Sequence, residues 1–103
     1  MGPYLHPIIG SWVIDESDQE AVSRYGRISM VFRPDGRLEY TVHGETTDQK
    51  IFMTYEIDGT TLVTNQPSRP RVARSEFMFD DSGRLVITFD GLPSFFRRKE
   101  ELG

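Results

Sequence analysis

The sequence predicts an all-β fold: one up-and-down antiparallel β-barrel of about eight strands, with one short helix between strands 1 and 2. Apolar and polar residues alternate along most of the chain, as at Leu38, Tyr40 and Val42, which is typical of strands with one buried face. Turn residues at 34–36 and 81–83 separate such runs. Because closure removes the free edges of a sheet, we expect a barrel, with a two-sheet sandwich of the same strands as the alternative.

The alternating runs predict the positions of the strands, and the one segment without alternation predicts a helix. A helix is predicted over 17–25, since Ser17-Asp-Gln-Glu20 matches a capping box with Ser17 as the N-cap and Gly26 can end the helix. The strands are expected near 8–14, 27–33, 37–43, 49–57, 61–66, 73–80, 84–90 and 94–99.

Composition narrows the class of protein. The 103 residues fit a single domain, 1–103, and the net charge of −4 with scattered basic residues argues against nucleic-acid binding. With no cysteine there is no disulfide, and with two histidines we expect no metal site and no cofactor. No apolar run is long enough to span a membrane, and the N-terminus lacks the features of a signal peptide, so a cytoplasmic protein is expected.

The two ends of the predicted barrel differ in their connections. Tight turns at 34–36, 58–59 and 81–83 fall at one end. The helix and the connections 43–48, 66–72 and 90–93 fall at the other. Binding sites tend to lie on loops at the mouth of a rigid barrel, so the loop end is the expected functional end.

Two short motifs resemble the lipocalin and avidin-like barrels of the calycin group. Gly10-Ser11-Trp12 opens the first strand, and Phe95-Phe96-Arg97-Arg98-Lys99 forms the last. The stretches 10–15, 25–36 and 65–70 are also similar to a small bacterial family of lipocalin-like proteins. The resemblance implies that Trp12, with Arg97 or Arg98 packed over it, is a structural plug at the closed end. It also implies a pocket for a small apolar molecule.

Candidate ligand-binding residues follow from the inward phase of the strands and from the loops. Methionine adapts to different ligands, buried tyrosine hydroxyls need partners, and an arginine beside prolines can hold a carboxylate. The candidates are Met30, Tyr40, Gln49, Met53, Tyr55, Gln66, Arg69 and Phe77. We therefore expect binding of a small apolar or amphipathic molecule at the barrel mouth.

Two other functions remain open at the level of sequence. A barrel isomerase or cyclase would use Tyr40, Tyr55 or His43 as its acid or base. The sequence does not single out any of them as a catalytic residue. A structural or protein-interaction module would have a barrel filled by its own side chains. Outward apolar residues, among them Met78 and Val86 on adjacent strands, make a homodimer a possible form of that module.

Overall fold

Eight antiparallel strands close into a barrel in which every strand pairs with its neighbours in sequence and the last pairs with the first. The computed structural model describes residues 6–67, 71–89 and 91–99. The predicted fold class is confirmed, including the helix α1 (Gln19–Tyr25) between the first two strands. The strands are β1 (Gly10–Ile14), β2 (Arg27–Phe32), β3 (Arg37–His43), β4 (Asp48–Asp58), β5 (Thr61–Asn65), β6 (Val72–Phe79), β7 (Leu85–Phe89) and β8 (Leu92–Arg98).

The interior is packed with large apolar side chains from every part of the barrel wall. Trp12, Phe32 and Phe96 are each at most 1% exposed, and Ile8 from the segment before β1 is also fully buried. Tyr40, Met53, Tyr55, Phe79 and Phe89 pack against this core while staying partly exposed. The period-two pattern therefore selected the inward face correctly. In the part of the chain that the structure describes, no helix has the length and apolarity needed to cross a membrane.

The helix begins one residue later than its sequence pattern predicts. Asp18 is the N-cap, and its Oδ1 accepts a hydrogen bond from the Ala21 N–H at 3.2 Å. Its Oδ2 accepts from the Phe95 N–H at 3.1 Å, so this one carboxylate also ties the helix to β8. The Ser17 hydroxyl instead donates to Asp15. The predicted capping box at Ser17 is wrong because a carboxylate offers two acceptor oxygens and joins two elements.

The seam between β1 and β8 is organised by one tryptophan and one arginine. Trp12 lies opposite Arg98 in the ladder, and the Arg98 guanidinium carbon lies 4.3 Å from the centre of the indole ring. The guanidinium also donates to the carbonyls of Ile9 at 3.0 Å and Pro7 at 2.5 Å. The indole N–H donates to the Ile8 carbonyl at 2.8 Å. These contacts hold the segment 7–9 across the end of the barrel that carries the tight turns.

Gly10 is required by the same seam. Its φ of 129° lies in a region that residues with a side chain rarely adopt. A Cβ atom built on it would lie 2.5 Å from Nη1 of Arg98. Gly10, two residues before Trp12, therefore leaves the space into which Arg98 from the last strand fits.

Arg97 faces the opposite surface and has a different partner. Its Nε lies 3.9 Å from Asp15 on the outside of the barrel, where Asp15 also lies 3.1 Å from Nη1 of Arg84. The backbone N–H of Ser17 is the main cause that holds the pKa of Asp15 below its usual value, followed by the Ser17 hydroxyl and then Arg84. Of the two predicted plug arginines, Arg98 is the one in contact with Trp12.

Replacing Trp12 with alanine should cost about 3–5 kcal/mol of unfolding free energy, because it removes a fully buried aromatic ring and its hydrogen bond. Phe52→Ala is the matched control, since this ring is 62% exposed and should matter little to stability. Chemical denaturation of both variants measures the difference. A loss under about 1 kcal/mol for Trp12→Ala would contradict the role of the indole in the core.

The two neighbouring arginines should differ in their effect on stability. Arg98→Ala removes two hydrogen bonds and a cation–π contact, so we expect a loss of about 1–3 kcal/mol. Arg97→Ala removes one long ion pair from a mostly exposed arginine, and Asp15 keeps its closer partner Arg84, so the cost should be less than about 0.5 kcal/mol. Equal losses in urea unfolding would show that the contact of Arg98 with Trp12 does not hold the seam.

Candidate functional site

A cleft at the loop end of the barrel runs along one edge of β4. Residues 48–53 of β4 pair with β3, but β5 ends at Asn65, which lies opposite Thr54. Among the described residues, no strand pairs with the other edge of β4 over residues 48–53, and a cleft of about 570 Å³ beside this edge is also lined by Gln66 and Pro67. Ligand pockets have volumes of about 300–1,000 Å³, so a small organic molecule fits.

Backbone groups of β4 are directed into this cleft. The Tyr55 N–H donates to the Gly36 carbonyl on the β3 side at 2.9 Å. Because successive residues of an antiparallel strand direct their N–H and C=O to opposite sides, those of Phe52 and Lys50 point to the open edge. The cleft thus offers main-chain donors and acceptors in addition to its side chains.

The lining combines apolar surface with polar and cationic groups. Ile51 and Met53 come from the inward phase of β4, and Phe52 comes from its outward phase. Side chains from both faces contribute because the cleft wraps around the strand edge. The remaining lining residues are Arg37, Gln49, Lys50, Thr54, Gln66 and Pro67.

The two lining cations have weak partners. Nε of Arg37 lies 3.7 Å from Asp35, and Nζ of Lys50 lies 3.9 Å from Glu39. Both side chains are more than half exposed, so these pairs contribute little and can yield to another anion. The cleft is therefore suited to a molecule with an apolar body and an acidic head.

The structure brings three of the predicted ligand-binding residues together and places four others elsewhere. Gln49, Met53 and Gln66 all line the cleft. Met30 and Phe77 are 2% and 7% exposed and belong to the packed core. Arg69, predicted to bind a carboxylate, lies outside the described residues. The remaining two candidates are the tyrosines.

Tyr40 and Tyr55 lie inside the barrel wall but near opposite ends. The Tyr55 hydroxyl donates to the Arg33 carbonyl at 2.6 Å, beside the hairpin that joins β2 and β3. Tyr40 lies toward the loop end, where burial and the neighbouring Tyr25 phenol raise the pKa of its hydroxyl. The Tyr25 and Phe89 rings meet edge to face there, with centroids 5.5 Å apart. An aromatic wall therefore closes the mouth beside α1.

Sequence reasoning missed those residues that line the cleft only because β5 is shorter than β4. Ile51 follows the inward pattern, but Lys50, Phe52 and Arg37 have the outward phase and look like ordinary surface positions. Pro67 is the available signal. It has no N–H to continue the ladder, so β5 ends early and exposes the β4 edge.

The outer face differs from the sequence expectation at Val86. It pairs with Met78, as the adjacent strands predict, but it is only 6% exposed. Its cross-strand partners Met78 and Phe95 flank it on both sides. Val86 therefore takes no part in an exposed apolar patch, and the homodimer stays a prediction.

Comparison with known proteins adds no assignment: no family model, curated protein or solved structure matches the chain. Within the described ranges, no three histidine, aspartate or glutamate side chains converge as metal ligands. The chemistry of the cleft is therefore argued from its own residues.

The two tyrosines should respond differently to removal of the hydroxyl. Tyr55→Phe loses the hydrogen bond to Arg33, so we expect the free energy of unfolding to fall by about 1 kcal/mol. Tyr40→Phe should leave it within about 0.5 kcal/mol, because none of the hydrogen bonds among the described residues involves its hydroxyl. Thermal and urea unfolding of both variants test this contrast, and a larger loss for Tyr40→Phe would contradict it.

Proposed function

We propose that the protein binds a small amphipathic molecule in the cleft beside the β4 edge. The observation that carries the proposal is the cleft itself, which combines an apolar wall with amide and cationic groups at the loop end. Binding there costs little reorganisation, because β4 is held by β3 along its whole open segment.

The lining suggests how the molecule would be oriented. Ile51, Phe52 and Met53 provide apolar surface for an aliphatic chain or ring. Arg37 and Lys50 provide positive charge for a carboxylate, and Gln49 can donate or accept a hydrogen bond. A carboxylic acid with a medium-length apolar chain meets these requirements.

Decanoate is a suitable probe, with decanol as its uncharged counterpart, in isothermal titration calorimetry with the full chain. Ile51→Asn should weaken decanoate binding about tenfold, because it replaces apolar wall by an amide. Met78→Asn is the matched control, since this methionine is exposed on β6 and does not line the cleft. Its affinity should equal that of the wild type.

Comparing charged decanoate with uncharged decanol separates recognition of the carboxylate from burial of the apolar chain. Lys50→Gln should weaken binding of decanoate about two- to fivefold, the range of an exposed ion pair, and leave decanol unchanged. No measurable binding of either probe, or equal losses in Ile51→Asn and Met78→Asn, would contradict the proposal.

A further inference from the structure

A serine, a histidine and an aspartate form a hydrogen-bonded row on the outer face of β2, β3 and β4. His43 and Asp48 are direct partners across the β3–β4 ladder. Ser29 pairs with Thr41, which places it diagonally next to His43 on the same face. None of these three residues lines the mouth cleft.

The order of atoms in the row is that of an activated nucleophile. The Ser29 hydroxyl is hydrogen bonded to Nε2 of His43, and Nδ1 of His43 lies 3.2 Å from Oδ2 of Asp48. With Nδ1 donating to the carboxylate, Nε2 is left as the acceptor of the serine proton. A nucleophile bonded to a base, which is oriented by a third group, defines nucleophilic catalysis in proteins of unrelated folds.

A substrate can reach the row. The His43 and Asp48 side chains are 42% and 56% exposed. Together with Ser29 they border a shallow hollow of about 360 Å³, which Ser11, Val31 and Thr41 also line. The hollow is large enough for a short acyl group, whereas a longer chain would extend into solvent.

The charges around the hollow limit the kind of substrate. Ser29 is paired with both β1 and β3, so the backbone N–H groups around it are committed to the sheet and form no oxyanion hole. Lys50 and Lys99 line the hollow and bring two ammonium groups to it. Flexible ammonium groups stabilise an oxyanion less well than fixed donors, so the leaving group has to be a good one.

We propose that Ser29 is the nucleophile of an esterase site for short, activated acyl esters, with His43 as its base and Asp48 as a positioning residue. The Ser29 oxygen attacks the acyl carbon while its proton passes to Nε2 of His43. The bond from the acyl carbon to the leaving oxygen then breaks, and His43 returns the proton to that oxygen. Water, activated in turn by His43, hydrolyses the acyl-serine to the carboxylic acid and free Ser29.

The experiment uses the full chain with p-nitrophenyl acetate as substrate and a fluorophosphonate as covalent label. A fluorophosphonate should add to Ser29 with loss of fluoride, and peptide mass spectrometry locates the modified residue. Ser29→Ala should abolish labelling and lower the rate of p-nitrophenolate release by about 10²-fold or more, and His43→Ala should do the same. Ser23→Ala is the matched control, because Ser23 is an exposed serine of α1 that does not line the hollow, and its loss should leave both readouts unchanged.

The role of Asp48 needs a measurement that would not change if this residue only stabilised the fold. Asp48→Asn should lower kcat with KM unchanged, and Asp48→Glu should restore part of the loss. All variants lie at the surface, and their melting temperatures serve as the control for folding. An unlabelled wild type, labelling at Ser11, or a Ser29→Ala rate equal to that of the wild type would overturn the proposal. The last result would mean that His43 acts on the ester without Ser29.

Discussion

The fold depends on the closure of β1 onto β8. That ladder is short, with Trp12, Val13 and Ile14 paired to three residues of β8. Arg98 compensates by placing its guanidinium carbon over the Trp12 ring while its N–H groups donate to the carbonyls of residues 7 and 9. Because closure removes the last free edges of the sheet, this contact stabilises the barrel that all eight strands form.

Unequal strand lengths give the closed barrel its two candidate sites. β4 has 11 residues and β5 has five, so the β3–β4 ribbon extends beyond the rest of the wall at the loop end. One edge of that extension borders the mouth cleft. Its tip pairs His43 with Asp48, next to Ser29. The early end of β5 before Pro67 exposes the cleft. The length of the β3–β4 ribbon brings the histidine and aspartate together.

The sequence predicted the fold well because period-two burial is a local property that each strand displays separately. It predicted the cleft in part: Gln49 and Met53 have the inward phase, but Phe52 lines the cleft because no described strand pairs with the edge beside it. It could not predict the row of Ser29, His43 and Asp48. Ser29 and His43 are 14 residues apart and meet through the register of β2 with β3, and a one-residue shift would separate them. Tyr55 shows the same limit, since alternation places its ring inside without showing toward which end the hydroxyl points.

The placement of charge favours the same kind of ligand at both proposed sites. The chain carries a net charge of −4, yet Arg37 and Lys50 line the cleft, and Lys50 and Lys99 line the hollow beside Ser29. Glu39, between them, is already shared by Arg33 and Lys50. Lys50 lines both the cleft and the hollow beside Ser29, so a substitution there would change the charge beside both. Local positive charge on an acidic protein selects anionic or electron-rich molecules, since a cation would be repelled at the site and attracted elsewhere on the surface.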